Sequence, residues 1–397
     1  MAININAKTS GVGGLETTAD NSGNINIQSG GSTVMSVTSS GVAVTGSFSQ
    51  NGAVYSTQPS FRNLIINGDM RIDQRNAGAS VTLAAGGNYT LDRMRVYSSG
   101  SSVLSVQQSS DTPSGQGFSN SILITSLAAT TPASTDYYFF DHRIEGYNIA
   151  NLGFGTASAK TITLSFWIKS SLTGQFGGSL TNNAQDRSYP FSYTISSANT
   201  WEKKTITIAG ETSGTWLTDN GRGLRCRLLD LGTGSTYIGT ANSWQNADYY
   251  GVTGDVKLIN TNGATVYLTG VQLEVGSTAT DFENLPYDVQ LARCQRYFQM
   301  FDGINCIDGQ FYSSSVARFH VQLSPDMRTA PSGSWSGTLT ASVEEVGVAF
   351  RDPTGYSVNA GSSRAYSFNG TGMSGATASK QAMFRGNLIA LSLSAEL

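Results

Sequence analysis

The chain has 397 residues, a formal net charge of −3 and only 13% charged residues, with 45 glycines and 8 prolines. It lacks any run of Lys and Arg, the footprint by which proteins displace counterions from phosphates, so nucleic acid is excluded as an expected partner. At 39% hydrophobic and 10% aromatic it carries too much apolar material for a disordered chain. Ser, Thr, Asn and Gly spread between β-branched residues favour strands and tight turns over helices.

The cysteines Cys226, Cys294 and Cys306 are odd in number and have no CxxC spacing. They suit buried free thiols better than a disulfide framework or a zinc ribbon. Met1 leads straight into polar residues, so no signal peptide is expected. No apolar stretch approaches the length of a membrane span, so no membrane insertion is expected either.

In chain order, residues 1–60 come first. Ile25 and Ile27, Met35 and Val37, and Val42 and Val44 alternate with polar residues between Gly and Ser punctuation. Period two means short strands with one apolar face. Strands of about five residues cannot bury such a stripe alone. Identical chains around a shared axis would cover it, which predicts a trimeric β-stem. A boundary is expected near Pro59.

Residues 61–284 read as one large β domain with strands at 89–97, 102–108, 121–126, 137–144, 161–169, 191–196, 200–208, 224–231, 256–259 and 265–275. Gly86-Gly87, Gly177-Gly178, Asn220-Gly221 and Asn262-Gly263 read as turns between them. Many strands with no helices between them indicate a sandwich or jelly roll. In 161–169, Ile162, Leu164, Phe166 and Ile168 share one face, and Trp167 points to the other. Pro286 opens the one helical segment, placed at about 286–300 within a linking region 285–302. Residues 303–397 return to short strands as a small C-terminal β domain. The fold class is all-β.

Several ordered motifs then carry a resemblance. The run Asn63-Leu64-Ile65-Ile66-Asn67-Gly68-Asp69-Met70, with Tyr89-Thr90-Leu91-Asp92-Arg93 downstream, resembles the opening of the jelly-roll module in many bacteriophage tail fibre proteins. Gly270-Val271-Gln272-Leu273-Glu274-Val275-Gly276, followed by Ala279-Thr280-Asp281-Phe282-Glu283, is similar to its closing strand. Cys294-Gln295-Arg296-Tyr297-Phe298 is similar to the short helix that commonly follows, and Ser394-Ala395-Glu396-Leu397 to a familiar ending. The resemblance implies a carbohydrate-binding-like sandwich carried on a virion, usually as a trimer. The implied partners are a second virion protein bound through the N-terminal region and a host surface glycan.

The sequence carries few signs of catalytic chemistry. His142 lies in a predicted strand, and no GxSxG nucleophile elbow accompanies it. Gly370 to Gly375 spells GxGxxG without a persuasive βαβ unit around it. Asp281 and Glu283, and Glu344 and Glu345, are the acid pairs to weigh for a polysaccharide-cleaving spike. The chain is expected not to be an enzyme. No cofactor is assigned, although a jelly roll can hold a structural calcium. The candidate ligand-binding residues are Trp216 and Asp219, the loop residues Trp244, Tyr249 and Tyr250, and, in the last domain, Trp335 and Tyr356. Sugars offer flat C–H faces to such rings and hydroxyls to such polar neighbours. The expectation is non-catalytic attachment to a host glycan. The alternatives are a purely structural virion part (a capsid decoration or tail adaptor) and a polysaccharide-degrading tailspike.

Overall fold

The structure, a computed structural model, describes residues 3–7, 15–19, 25–29, 32–39, 41–44, 48–50, 53–55, 61–301, 305–337, 342–346, 349–351, 353–385 and 389–397. The expected boundary at Pro59 and the side chain of Cys306 lie outside the described residues. The chain forms two compact units, Met1–Arg62 and Asn63–Leu397. It is all-β, with one α-helix among the described residues.

The first unit holds a five-stranded sheet in the order Leu15–Ala19, Ile3–Ala7, Ile25–Ser29, Ser32–Thr38, Gly41–Val44, and a separate hairpin of Phe48–Gln50 with Ala53–Tyr55. Ile3–Ala7 runs parallel to Ile25–Ser29, and the other neighbours are antiparallel. The register sets Ile25 opposite Val37, Ile27 opposite Met35 and Val37 opposite Val42, so the alternation becomes one apolar face. The other face is polar: Ser36 donates to Asn26 at 2.6 Å and Gln28 to Thr33 at 3.4 Å. Ile25 remains 42% exposed and Val42 59%.

Twelve strands build the sandwich of the second unit: β1 (Val81–Thr82), β2 (Gly86–Tyr89), β3 (Met94–Ser98), β4 (Leu104–Ser109), β5 (Ser121–Ser126), β6 (Phe139–Glu145), β7 (Ile162–Ser170), β8 (Gly174–Thr181), β9 (Ser188–Ile195), β10 (Glu202–Ile208), β11 (Arg222–Asp230) and β12 (Thr265–Val275). They form two six-stranded antiparallel sheets, ordered β9-β8-β11-β6-β3-β2 and β10-β7-β12-β5-β4-β1. Both sheets feed one core. Val96, Phe140, Leu180, Phe191 and Leu224 come from the first, and Val106, Ile122, Leu164, Phe166 and Leu273 from the second. This is the jelly-roll-like sandwich that the spacing of strands and turns predicts.

The structure differs from four of the expected turns and strands. The expected strand 89–97 is two strands, because residues 90–93 form a turn in which Met94 N–H returns to Leu91 O at 3.0 Å. The expected strand 256–259 is instead a 3-10 turn, Leu258–Asn260. Gly177-Gly178 is not a turn but the middle of β8. A Cβ on Gly178 would stand 2.5 Å from the Arg227 carbonyl oxygen and 2.6 Å from the Phe191 ring. The glycines are there for close approach between strands. Gly178→Val is therefore expected to cost about 1–3 kcal/mol by overpacking, read as a lower urea midpoint with an unchanged slope. Gly86-Gly87 likewise opens β2, with Arg95 lying over Gly87.

The helix α1 spans Tyr287–Gln295, shorter than expected, and Pro286 is its N-cap. Tyr297 ends it. The Tyr297 hydroxyl donates to Glu145 at 2.7 Å, and the Arg93 guanidinium sits 3.7 Å from the ring centre. The chain then enters strand Phe298–Phe301, which pairs with Ile389–Ser394, itself paired with Ser332–Gly337. A seven-stranded sheet follows, with a second core around Phe319, Tyr366, Phe368 and Phe384.

The motif residues are clamps. The Asn63 amide donates to Val271 O at 3.0 Å and its oxygen accepts from Leu273 N–H at 3.1 Å, so the opening run is tied to the closing strand. Asn67 binds Ile72 O and Asp92 O at 2.8 and 2.9 Å. His142 is fully buried and its Nε2 accepts from Ile66 N–H at 3.2 Å. Burial and the nearby Arg93 charge hold it well below the usual imidazole range, so it is a neutral structural residue.

A buried acid pair lies behind β11. Lys257 Nζ binds Asp230 at 2.8 Å and Asp255 at 2.5 Å. Burial, then the charge and hydrogen bond of Asp230, push the Asp255 carboxyl up to about 7 against the pull of Lys257. The folded state thus holds a proton that the unfolded chain releases above about pH 4. Stability from this group is full at acid pH and is lost as pH rises through about 7. Asp255→Asn is expected to remove a slope approaching ~1.4 kcal/mol per pH unit between pH 5 and 7, measured by urea denaturation of both proteins across that range.

Candidate functional site

A cleft lies on the outer face of the sheet β10-β7-β12-β5-β4-β1. It holds about 200 Å³ and is lined by Gln116, Phe118, Ser165, Trp167, Lys203, Gly270, Thr280, Asp281, Phe282 and Asn284, with Gly115 at the rim. Strand alternation supplies its floor. Ser165 and Trp167 point outward from β7 because Leu164, Phe166 and Ile168 fill the core. Trp167 stands opposite Lys203 of β10 and Thr269 of β12.

A β-bulge shapes the wall. Between Ser165 and Trp167 the register on β12 slips by one residue, at the point where Gly270 adopts φ +61. A Cβ there would meet the Phe118 ring at 2.5 Å, so glycine permits both the left-handed backbone and the ring packed upon it. Phe118 packs edge-on against Phe282 at 5.1 Å between ring centres. Trp167, Phe118 and Phe282 are each half-buried, leaving ring surface open. Lys203, Gln116, Asp281 and Asn284 are exposed around them. The cleft thus combines apolar ring faces with amide, hydroxyl, ammonium and carboxylate groups, the mixture a ligand bearing both C–H faces and hydroxyls requires. Asp281 is the one carboxylate that lines it.

The sequence-derived candidates lie elsewhere. Trp216 is a core residue: 8% exposed, it donates to Ser213 O at 3.0 Å and packs on Phe154 and Trp244. Trp244 is half-buried, donates to Ala209 O at 2.8 Å and meets the Tyr189 ring at 5.2 Å. Asp219 is exposed and accepts from Gly221 N–H at 2.8 Å, closing its own turn. Tyr249 is half-buried, and its carbonyl accepts from Arg227 at 3.3 Å. Tyr250 is buried, stacked on Tyr237 at 4.7 Å with the Arg227 guanidinium 3.9 Å from its ring centre. Trp335 and Tyr356 stack on each other at 5.0 Å against the second core. The structure brings Trp216 and Trp244 together, and Trp335 and Tyr356 together, but none of the seven lines the cleft. Among the described residues no group of three His, Cys, Asp or Glu side chains converges as a metal site would.

No protein-family model and no curated protein matches the sequence. Solved structures do show likeness. A putative sugar binding protein from Bacteroides thetaiotaomicron is 14% identical with a TM-score of 0.32, covering 54% of this chain and 100% of that one. The enzymatically active domain of bacteriophage CBA120 tailspike protein 4 is 12% identical with a TM-score of 0.30, covering 54% of this chain and 22% of that one. A CBM4 structure is 17% identical with a TM-score of 0.27, covering 53% and 99%. The chain therefore spans about a fifth of the tailspike domain's length, and scores this low do not establish a shared fold.

Proposed function

We propose that this chain is a glycan-binding subunit of a bacteriophage fibre, which holds a host surface glycan without cleaving it. The observation that carries the reading is the outward Trp167 in a cleft shared with Phe118 and Phe282 and ringed by polar side chains. A sugar ring stacks on an indole face while its hydroxyls bond to amides and carboxylates. A single lining carboxylate favours binding over hydrolysis, because glycoside hydrolysis uses a pair flanking the bond. The virion setting rests on the motif resemblance.

The fibre acts as a homotrimer joined to another virion protein through residues 1–60. The exposed Ile25 and Val42 on the apolar face of the N-terminal sheet support this, because three copies around an axis would cover that face. Three sites per fibre then multiply a weak single-site affinity. The test is binding of the labelled full chain to arrayed bacterial surface polysaccharides and to intact cells, with its mass measured by light scattering. Saturable binding by a species of three chains, competed by free polysaccharide of unchanged length, is expected. A trimer that binds no polysaccharide would sink the attachment reading, and shortening of the polysaccharide would replace binding by cleavage.

A further inference from the structure

A second aromatic station lies beside the cleft on the same sheet face. Lys169 is two residues after Trp167 on β7 and therefore points the same way. It stands opposite Tyr267 of β12. Trp201 immediately precedes β10 and lies two residues before Lys203, the partner of Trp167. The face thus carries two rows, Trp201, Lys169 and Tyr267 in one and Lys203, Trp167 and Thr269 in the other. At about 3.4 Å per residue along a strand and about 4.8 Å between strands, Trp167 and Trp201 are ~8 Å apart diagonally.

Trp201 is held in place. Its Nε1 donates to Asp111 at 3.0 Å, and Lys169 pairs with the same carboxylate. Its ring meets Tyr267 at 6.2 Å and an interplanar angle of 64°. The Lys169 ammonium lies 4.3 Å from the Tyr267 ring centre and 5.6 Å from that of Trp201. Tyr267 is the ring nearer the ammonium, and half-buried Trp201, farther from it, keeps ring surface in solvent. A side chain fixed by a hydrogen bond and a ring contact loses little freedom when a ligand settles on it.

Building on the glycan-binding reading, we infer that Trp201 is a second sugar platform, and that the ligand is an internal segment of a glycan chain occupying both stations. A ligand of one sugar unit fills only the Trp167 cleft. A longer segment reaches Trp201 across Lys203.

The test uses fragments of one and of six sugar units, cut by partial hydrolysis from the polysaccharide that the full chain binds. Trp201→Ala is expected to weaken the six-unit fragment about 10-fold and leave the one-unit fragment unchanged. Trp201→Phe, which keeps a ring but loses the Asp111 bond, is expected to recover most of that affinity. Unchanged thermal midpoints in both variants show that the sheet is intact. Equal binding of the six-unit fragment by the Trp201→Ala variant and the unaltered chain overturns the second platform while leaving the cleft in place. Absence of binding at every length by the unaltered chain overturns both.

Discussion

Replacing Asp141 with alanine is expected to destabilise the second unit by about 3–5 kcal/mol, the usual range when one member of a buried ionic cluster is removed. Asp141 is fully buried on β6, at the centre of the outer face of the β9-β8-β11-β6-β3-β2 sheet. Arg225 lies 2.5 Å from it, Arg95 3.2 Å and Arg143 3.6 Å. Burial alone would raise its carboxyl, but those three guanidinium groups hold it well below the usual carboxylate range. Without it, three cations from three adjacent strands face one another at low exposure. Asp141→Asn keeps the shape and loses the charge, so a similar loss is expected. The sign with pH follows from the depressed value: the stabilisation is present above the ordinary carboxylate pKa of about 3.9 and is lost as pH falls below it. Urea denaturation at pH 7 and pH 3 reads both effects. The two variants should lie far below the parent at pH 7, and the gap should have begun to narrow at pH 3 without closing, because Asp141 keeps its charge in the folded state until the pH approaches its depressed value.

Arg93→Ala should produce the second large loss, also about 3–5 kcal/mol, with a different signature. Arg93 is 1% exposed and lies in the turn between β2 and β3. It pairs with Glu396, donates to the Arg143 carbonyl and lies over the Tyr297 ring. Glu396 also binds Arg75 at 2.7 Å, and Arg75 sits 3.7 Å over Phe298. This alternation of guanidinium, ring and carboxylate joins the sandwich core to the region of the second core. Loss of Arg93 should therefore uncouple the two as well as weaken them. In calorimetry the variant is expected to show two separated transitions where the unaltered chain shows one. A single transition, merely shifted, would mean that the cores communicate by another route.

The motifs near Asn63, Arg93, Gly270, Tyr297 and Glu396 were legible as an ordered set, and the contacts explain why they occur together: each clamps another. Strands 121–126 and 265–275 were legible to the residue because both are rich in β-branched and apolar residues and pair centrally in a sheet, although the bulge at Gly270 reverses the phase of the second, turning first Val266 and Leu268 and then Val271 and Leu273 to the core. Strand β8 was not, since its glycines read as a turn until Phe191 and Arg227 are known to press against them. The same limit governs the site. The outward direction of Trp167 follows from local alternation, and Gly270 inside a strand is a bulge signal in its own right. The burial of Trp216 and Tyr250 depends on which distant rings close over their loops, and loop sequence does not encode that. Phe118 and Phe282 meet across 164 residues of chain at a place set by the bulge, with no local pattern to announce them.

The measurement that bears most directly on the account is a binding titration comparing the full chain with its Trp167→Ala variant, using the surface polysaccharide that the full chain retains. With the thermal midpoint unchanged, the affinity should fall ~30-fold or more, the effect of truncating a central aromatic anchor. If the variant binds as tightly as the unaltered chain, the cleft on the β7 face is not where this protein holds its glycan.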